Sequence, residues 1–96
     1  MSSFHVYILT NKRNGTLYVG VTNDIARRVD EHRTHQVAGF SRRHELSRLV
    51  YVETLASAFE AISREKQLKR WKRQWKLELI ESVNPYWKDI TDDVGW

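Results

Sequence analysis

The feature that most constrains this chain is a pair of short apolar runs joined by an Asn-Gly turn and followed directly by a basic helix. The segment VYILTNKRNGTLYVGVTNDIARRVDEH spans Val6 to His32 and carries the turn at Asn14 and Gly15. Asn and Gly both accept positive φ angles, while β-branched and aromatic residues on either side favour strands. The sequence therefore predicts a β-hairpin that leads straight into a helix.

Each predicted strand carries one tyrosine, Tyr7 and then Tyr18. If the hairpin loop holds an even number of residues, odd positions of the first strand share a face with even positions of the second. We therefore expect both tyrosines on one face, whereas an odd loop or a bulge would separate them. The next helix sets Arg28 and His32 four residues apart on one stripe. Taken singly, Arg28 is typical of an ordinary exposed arginine, and His32 is typical of a partly buried histidine at the end of a helix.

Length and apolar content indicate one domain over residues 1–96. Ninety-six residues with 41% hydrophobic side chains suffice for one small core and not for two. Asn23 or Asp24 can cap a helix that runs to about Thr34. A surface loop is expected over 34–45, and a third strand over 46–54, near the sheet centre or under a helix. The predicted fold is an α+β domain in which helices flank a small three-stranded antiparallel sheet.

A long helical region begins at Ser57, where Ser57-Ala-Phe-Glu60 has the pattern of a capping box. The helical pattern continues past Trp71 to about Val83, and Asn84-Pro85 ends it because a residue before proline avoids the α conformation. Its expected core residues are Ala58, Ala61, Ile62, Leu68, Trp71, Trp75 and Leu79, followed by the tail residues Tyr86, Trp87 and Ile90.

Glu65 falls on the apolar stripe of this helix. A buried carboxylate is costly unless it has a cation or hydrogen-bond donors as partners. One interpretation is a structural ion pair with a basic neighbour such as Arg28. The other is a carboxylate ligand for Mg²⁺ beside a phosphate.

Positive charge is concentrated on this helical region. Seven basic residues and one acidic residue lie between Arg64 and Lys76, although the whole chain has a net charge of only +4. A basic field interleaved with Trp71 and Trp75 suits a phosphate backbone and unstacked bases, although a solvated helix face is the plainer interpretation. The candidate nucleic-acid-binding residues are Arg27, Arg42, Arg43, Lys66, Lys69, Arg70, Lys72 and Arg73.

Several classes of protein are excluded or disfavoured. The absence of cysteine excludes disulfides and thiolate zinc sites. The apolar run near the amino terminus is too short for a signal sequence, and no stretch reaches membrane-spanning length, so we expect a cytoplasmic protein without a membrane partner. A monomer and a weak homodimer both remain open.

The tripeptide HVY, the tripeptide YVG whose tyrosine lies eleven positions later, Arg28 and His32 together resemble the catalytic core of the GIY-YIG nuclease superfamily. The second tripeptide is close to the family pattern. The first departs from it at His5 and Val6, a change that we expect to alter packing more than chemistry. Glu65 and Asn84 also match family positions, so the resemblance covers nearly the whole chain, and it is greatest to small stand-alone bacterial members.

The resemblance implies a divalent-metal-dependent endonuclease that hydrolyses phosphodiesters in nucleic acid, with DNA favoured over RNA. Glu65 would hold one Mg²⁺ or Mn²⁺, and Tyr7 or Tyr18 would orient and deprotonate the attacking water. Arg28 would stabilise the charge that develops on the phosphate, His32 would relay or donate a proton, and Asn84 would support the site. A free tyrosine is a poor base at neutral pH, but a nearby metal and Arg28 would favour its phenolate form.

Two other functions compete with this one. The first is a nucleic-acid-binding module that has the nuclease fold but little or no catalytic turnover. The second, a membrane-surface protein that uses the basic helix, suits the Lys, Arg and Trp content, but the other face of that helix is needed for the core.

Overall fold

Three antiparallel strands form one sheet in the order β2-β1-β3, with β1 in the centre. The computed structural model describes residues 3–34 and 46–93, so most of the loop expected over 34–45 lies outside the described residues. The strands are β1 at Phe4–Thr10, β2 at Leu17–Thr22 and β3 at Arg48–Leu55. This architecture confirms the predicted three-stranded antiparallel sheet.

The register of the hairpin places both tyrosines on one face of the sheet. Tyr7 lies opposite Gly20, and Leu9 lies opposite Tyr18. The connection between the paired ends of β1 and β2 holds six residues, 11–16, which is an even number. The prediction of a shared face is therefore confirmed, for the reason from which it was derived.

The two turn residues, Asn14 and Gly15, have different backbone conformations. Asn14 adopts a left-handed conformation with φ of 56°, whereas Gly15 does not take a left-handed φ. Gly15 donates its N–H to the Lys12 carbonyl at 2.9 Å. A Cβ on Gly15 would lie 2.1 Å from Oδ1 of Asn11, so glycine is required here for space. The expectation of positive φ is thus right for Asn14 and wrong for Gly15.

Three α-helices cover the two faces of the sheet in the described part of the chain. They are α1 at Ile25–Arg33, α2 at Ala58–Arg70 and α3 at Arg73–Val83, and a short 3₁₀ helix follows at Thr91–Asp93. Helix α1 packs through Ile25 and Val29 on the tyrosine face. Helices α2 and α3 pack on the opposite face. The site is therefore expected on the side of the sheet that α1 covers.

Caps of the predicted type begin the first two helices. The Asp24 side chain accepts a hydrogen bond from the N–H of Arg27, which selects Asp24 over Asn23 as the cap of α1. The Ser57 side chain accepts from the N–H of Glu60, which is the serine half of the expected capping box.

The helical region breaks after Arg70, so the prediction of continuous helix from Ser57 to Val83 is wrong at this point. Trp71 and Lys72 both have ψ of 147°, which is extended backbone. A straight helix over residues 58–83 would be about 39 Å long, whereas the whole molecule extends 33 Å. The break turns α3 back over the sheet, where Ile80 is fully buried.

Helix α2 packs through a narrower stripe than expected. Ala61 and Leu68 are fully buried, but Ala58 is exposed and Ile62 is 43% exposed. Arg64 fixes the orientation of the helix, since its Nε lies 3.1 and 3.2 Å from the two carboxylate oxygens of Glu53 on β3. The expectation that Ala58 and Ile62 belong to the core is therefore wrong.

Strand β3 lies at an edge of the sheet, under helices on one face, so the second of the two expected placements holds. Its pairing with β1 shifts register between Ile8 and Leu9, which explains why apolar residues in β3 do not alternate strictly. The tail packs back as predicted, with Trp87 fully buried and the N–H of Ile90 donating to the Leu49 carbonyl at 2.8 Å. Tyr86 is 74% exposed, so its predicted packing is wrong.

Asn84 ties the end of α3 to β3. Its Nδ2 donates to the carbonyls of Val50, at 3.1 Å, and Lys88, at 2.8 Å. Its Oδ1 accepts from the N–H of Lys88 at 3.0 Å. These contacts lie on the β3 side of the sheet, so the structure does not bring Asn84 to the tyrosines.

We predict that Asn84→Ala lowers the free energy of unfolding by about 2–4 kcal/mol, because it leaves buried backbone groups without partners. Urea denaturation of the variant beside Asn23→Ala measures this difference. Asn23 is exposed, and the control should change stability by less than about 0.5 kcal/mol. Equal stability of the two variants would show that the Asn84 bonds do not hold the tail.

Candidate active site

Tyr7 lies in the middle of the central strand, and its ring extends over β2. The side chain is only 1% exposed. A Cβ on Gly20 would lie 2.4 Å from both the hydroxyl oxygen and Cζ of Tyr7, much closer than any stable contact. Gly20 therefore provides the space in which the Tyr7 phenol lies.

Tyr7, Tyr18 and His32 form one cluster, which we call the tyrosine–histidine cluster. The Tyr7 hydroxyl is hydrogen-bonded to Nε2 of His32 at 3.3 Å. The Tyr18 ring centroid lies 6.2 Å from that of Tyr7 and 5.2 Å from that of His32. The hairpin register thus supplies the two phenols, and α1 supplies the imidazole.

Burial sets the protonation states within this cluster. Loss of solvent, together with the neighbouring Tyr18, raises the pKa of Tyr7 well above its ordinary value, and the charge of Arg28 offsets only part of this effect. Burial, followed by the charge of Arg28, lowers the pKa of His32 below 6.5. At neutral pH Tyr7 is therefore a neutral phenol and His32 a neutral imidazole. For Tyr7, burial outweighs the charge of Arg28, which by itself would favour phenolate.

Arg28 lies on α1 beside the cluster and carries an unused donor. Its Nε is buried and has no hydrogen-bond partner among the described residues, and a carboxylate oxygen of Glu31 is 3.7 Å away. The side chain lines an open cleft of about 270 Å³ at the end of β2. The other residues that line this cleft are Phe4, Val21, Thr22, Asn23, Ala58 and Ile62. A guanidinium with a spare donor at the wall of a cleft suits an anionic group such as a phosphate.

Glu65 reaches this region from the other layer of the structure. Its helix packs on the sheet face opposite the tyrosines, yet its charge contributes to the raised pKa of Tyr7. The side chain is 17% exposed, and its carboxylate pairs with Lys69 at 3.4 Å. Glu65 therefore has the ion pair with a basic neighbour that was one of its two interpretations, but its partner is Lys69 and not Arg28, which pairs with Glu31.

The edge position of β2 explains how Glu65 and the cluster influence one another. Since no further strand lies beyond β2 in the described ranges 3–34 and 46–93, side chains from α1 and α2 can approach each other around its outer edge. Arg28 of α1 and Ile62 of α2 already line one cleft there. Glu65 follows Ile62 by three residues on the same flank of α2.

The predicted basic residues divide into exposed and structurally engaged groups. Arg27 is exposed on α1, and Lys66, Lys69, Arg70 and Lys72 are exposed on α2 and at the helix break. Arg73 donates from Nη2 to the carbonyls of Asn14 and Gly15, both at 2.7 Å, and so fastens α3 to the hairpin. Arg42 and Arg43 lie outside the described residues.

No group of three His, Cys, Asp or Glu side chains able to hold a metal ion occurs among the described residues. Glu65 would therefore supply one carboxylate to such an ion. Mg²⁺ commonly binds to one or two carboxylates together with substrate phosphates and water. The donor set fits an ion that binds together with a phosphodiester, and not one held in an all-protein site.

Two residues of the site were missed by reasoning from the sequence. Gly20 was part of a recognised tripeptide, but its role as the space for Tyr7 depends on strand register; a glycine inside an apolar strand is the signal that marks such a position. Glu31 follows Arg28 by three residues on α1, and this spacing is the signal for the ion pair that orients Arg28.

His5, the residue at which the first tripeptide departs from the family pattern, is hydrogen-bonded to Thr54 on β3. The distance between Nδ1 of His5 and Oγ1 of Thr54 is 3.1 Å.

Comparison with known proteins agrees with the fold. A model of the GIY-YIG catalytic domain matches residues 3–78. That range contains the hairpin, α1, β3, α2 and the first part of α3. The hairpin and helix that carry the cluster are thus those of a GIY-YIG catalytic domain.

Relatives of similar length narrow the assignment. A UPF0213 protein of Staphylococcus saprophyticus is 36% identical over 80 residues, which cover 83% of this chain and 96% of that protein. A UPF0213 protein of Staphylococcus aureus is 37% identical over 81 residues, which cover 84% and 98%. The chain therefore belongs to the UPF0213 family of GIY-YIG proteins.

A solved structure supports the same fold. The solution NMR structure of the UPF0213 protein BH0048 from Bacillus halodurans superposes with a TM-score of 0.57 and 29% sequence identity, covering 94% of this chain and 95% of that one. Within the described residues, every helix is too short or too polar to cross a bilayer.

The lowered pKa of His32 predicts a pH-dependent stability. The unfolded chain takes up a proton at His32 as pH falls through 6.5, whereas the folded chain resists it, so stability present above pH 6.5 is lost below it. Urea denaturation at several pH values between about 7.5 and 5.5 should show this loss. The variant His32→Gln should show a flatter profile.

His5→Gln is the matched control, because this histidine lies on the same sheet face but outside the cluster. It should retain the wild-type pH profile. An unchanged slope in His32→Gln would contradict the assignment of the titrating group.

Proposed function

We propose that this protein is a divalent-metal-dependent endonuclease that hydrolyses phosphodiester bonds in nucleic acid, with DNA favoured over RNA as the substrate. The observation that carries the proposal is the buried tyrosine–histidine cluster beside an arginine with a spare donor. Membership of the GIY-YIG proteins supports the reaction class. The members of the site act at different steps.

Arg28 would bind the scissile phosphate. Among the described residues its Nε makes no hydrogen bond, because the Glu31 carboxylate oxygen at 3.7 Å is close enough for an ion pair but too far for a hydrogen bond. A phosphate oxygen would complete the bond. The same interaction strengthens as negative charge builds on the phosphate oxygens during attack.

Tyr18 would orient the attacking water. Tyr18 is partly accessible to solvent, whereas Tyr7 and His32 are only 1% and 2% exposed. Water adds to phosphorus as the bond to the leaving oxygen breaks, and the water gives up a proton in this step. Of the two tyrosines in the cluster, Tyr18 is the one that solvent can reach.

His32 would be the final acceptor of that proton, which would pass from Tyr18 by way of the Tyr7 hydroxyl that also holds the imidazole in position. Its lowered pKa keeps the imidazole neutral at neutral pH, and only a neutral imidazole accepts a proton. Tyr7 holds Nε2 of His32 by a hydrogen bond of 3.3 Å and thus acts as a positioning residue. The raised pKa of Tyr7 makes its phenolate an unfavourable resting state.

Glu65 would hold one Mg²⁺ or Mn²⁺ ion together with the substrate. When bound, such an ion supplies positive charge that stabilises the developing anion and lowers the pKa of attached water. Glu65 would have to give up its pairing with the exposed side chain of Lys69 for this role.

We predict that Glu65→Gln lowers the single-turnover rate of DNA cleavage in Mg²⁺ at least about a hundredfold. Its free energy of unfolding should stay within about 1 kcal/mol of wild type, because the one ion pair that is lost is to the exposed side chain of Lys69. Glu60→Gln is the control, since Glu60 is an exposed glutamate on the same helix. Cleavage and urea denaturation are measured on the same preparations, with EDTA as a further control.

Cleavage by a stably folded Glu65→Gln protein at the wild-type rate would remove Glu65 from the mechanism. Binding of DNA by the wild-type protein with no metal-dependent cleavage would instead favour the competing function, a binding module with the nuclease fold.

A further inference from the structure

A second feature with the chemistry of a nucleic-acid site lies outside the cleft. It is an open groove of about 580 Å³ at the break between α2 and α3, which we call the tryptophan groove. Its lining residues are Ser63, Lys66, Gln67, Arg70, Trp71 and Trp75. The groove combines exposed cations with two indole rings.

The two tryptophans have different roles in this groove. Trp71 packs against the core, and the Arg64 guanidinium lies over its ring at 5.1 Å. Trp75 meets Trp71 edge to face, with ring centroids 6.0 Å apart, and stays 48% exposed. A packed ring thus supports an exposed one, which fixes the exposed ring at little entropic cost.

The exposed ring of Trp75 lies beside the ammonium group of an exposed lysine, Lys72. Nζ of Lys72 lies 5.7 Å from the Trp75 ring centroid, and Lys72 itself is exposed. The ring surface is therefore open to a mobile group and is not sealed by the core. A nucleic-acid base stacks on such a surface, and an unpaired base can reach it because its face is not covered by neighbours.

The cations of the groove continue towards the cleft. At 100° per residue, Lys66 and Arg70 lie about 140° and 180° around α2 from the buried Ala61. Lys69 lies between them and the flank that carries Glu65. The exposed side chains of Lys66, Lys69 and Arg70 give this surface the positive charge that a phosphate backbone requires.

We infer that the tryptophan groove binds an unpaired segment of nucleic acid, with a base stacked on Trp75 and adjacent phosphates on Lys66 and Arg70. This inference rests on the proposed function and makes it narrower. The substrate would carry a single-stranded stretch that docks on the groove while its chain follows the lysines to the cleft. Duplex alone would contact the cations but would offer no free base face.

Fluorescence anisotropy in EDTA tests the inference without cleavage, using labelled oligodeoxythymidine and a blunt duplex of equal length. Trp75→Ala should weaken binding of the single strand about five- to hundredfold and binding of the duplex less than about twofold. Tyr86→Ala removes another exposed aromatic ring, distant from the groove residues in sequence, and should change neither. Equal affinity of the Trp75→Ala and Tyr86→Ala proteins for the single strand would overturn the inference.

A second variant guards against loss of folding in Trp75→Ala. Lys66→Ala combined with Arg70→Ala removes only exposed side chains, and it should reduce the slope of log affinity against log salt for the single strand by about 1.4. An unchanged slope would contradict the phosphate contacts. Preferential binding of wild type to anionic phosphatidylglycerol vesicles, lost in Trp75→Ala while oligonucleotide binding persists, would assign the groove to a membrane surface and overturn the inference.

The two proposals fail separately. Loss of groove binding in these assays with intact metal-dependent cleavage would remove the tryptophan groove alone. Tight binding to the groove by a protein that never cleaves would remove the endonuclease alone.

Discussion

The close approach of the Tyr7 ring to Gly20 is the contact on which the candidate active site depends. No other residue type leaves space for a phenol directly above the neighbouring strand, since even a methyl group would lie 2.4 Å from the hydroxyl. The ring lies over β2, and its hydroxyl is hydrogen-bonded to His32 of α1. Burial of this pair then fixes both protonation states, because a charged phenolate or imidazolium would lose its solvation there.

Edge position in the sheet accounts for the two-layer construction of the site. Strand β2 has α1 on one side and α2 on the other, and in the part of the chain that the structure describes it is an edge strand. Arg28 and Glu65 therefore belong to opposite layers, yet both influence Tyr7 electrostatically. The opposite edge, β3, is used for stability, since Asn84 and the tail fasten there. The candidate active site thus lies at the β2 edge and the contacts that stabilise the tail lie at the β3 edge, which is why Asn84 is not brought to the tyrosines.

The sequence predicted what depends on local pattern. Turn chemistry, strand alternation and helix caps located the hairpin, α1 and the start of α2, and the even loop placed Tyr7 and Tyr18 together. Properties that depend on packing were not predictable. The break at Trp71 follows from the size of the sheet, and no helix-breaking residue marks it in the sequence. The exposure of Ile62 follows from the orientation of α2, which Arg64 fixes. The burial that keeps Tyr7 neutral likewise arises only when α1 closes over β1.

The division of labour between the tyrosines is tested most directly by the single-turnover rate of metal-dependent DNA cleavage in Tyr18→Phe and Tyr7→Phe proteins across a range of pH. If solvent-accessible Tyr18 orients the water, Tyr18→Phe should lose about a hundredfold or more in rate at every pH. Tyr7→Phe should lose less and shift the pH profile, because His32 loses its hydrogen-bond partner. A Tyr18→Phe protein that cleaves at the wild-type rate while Tyr7→Phe is inactive would contradict this assignment.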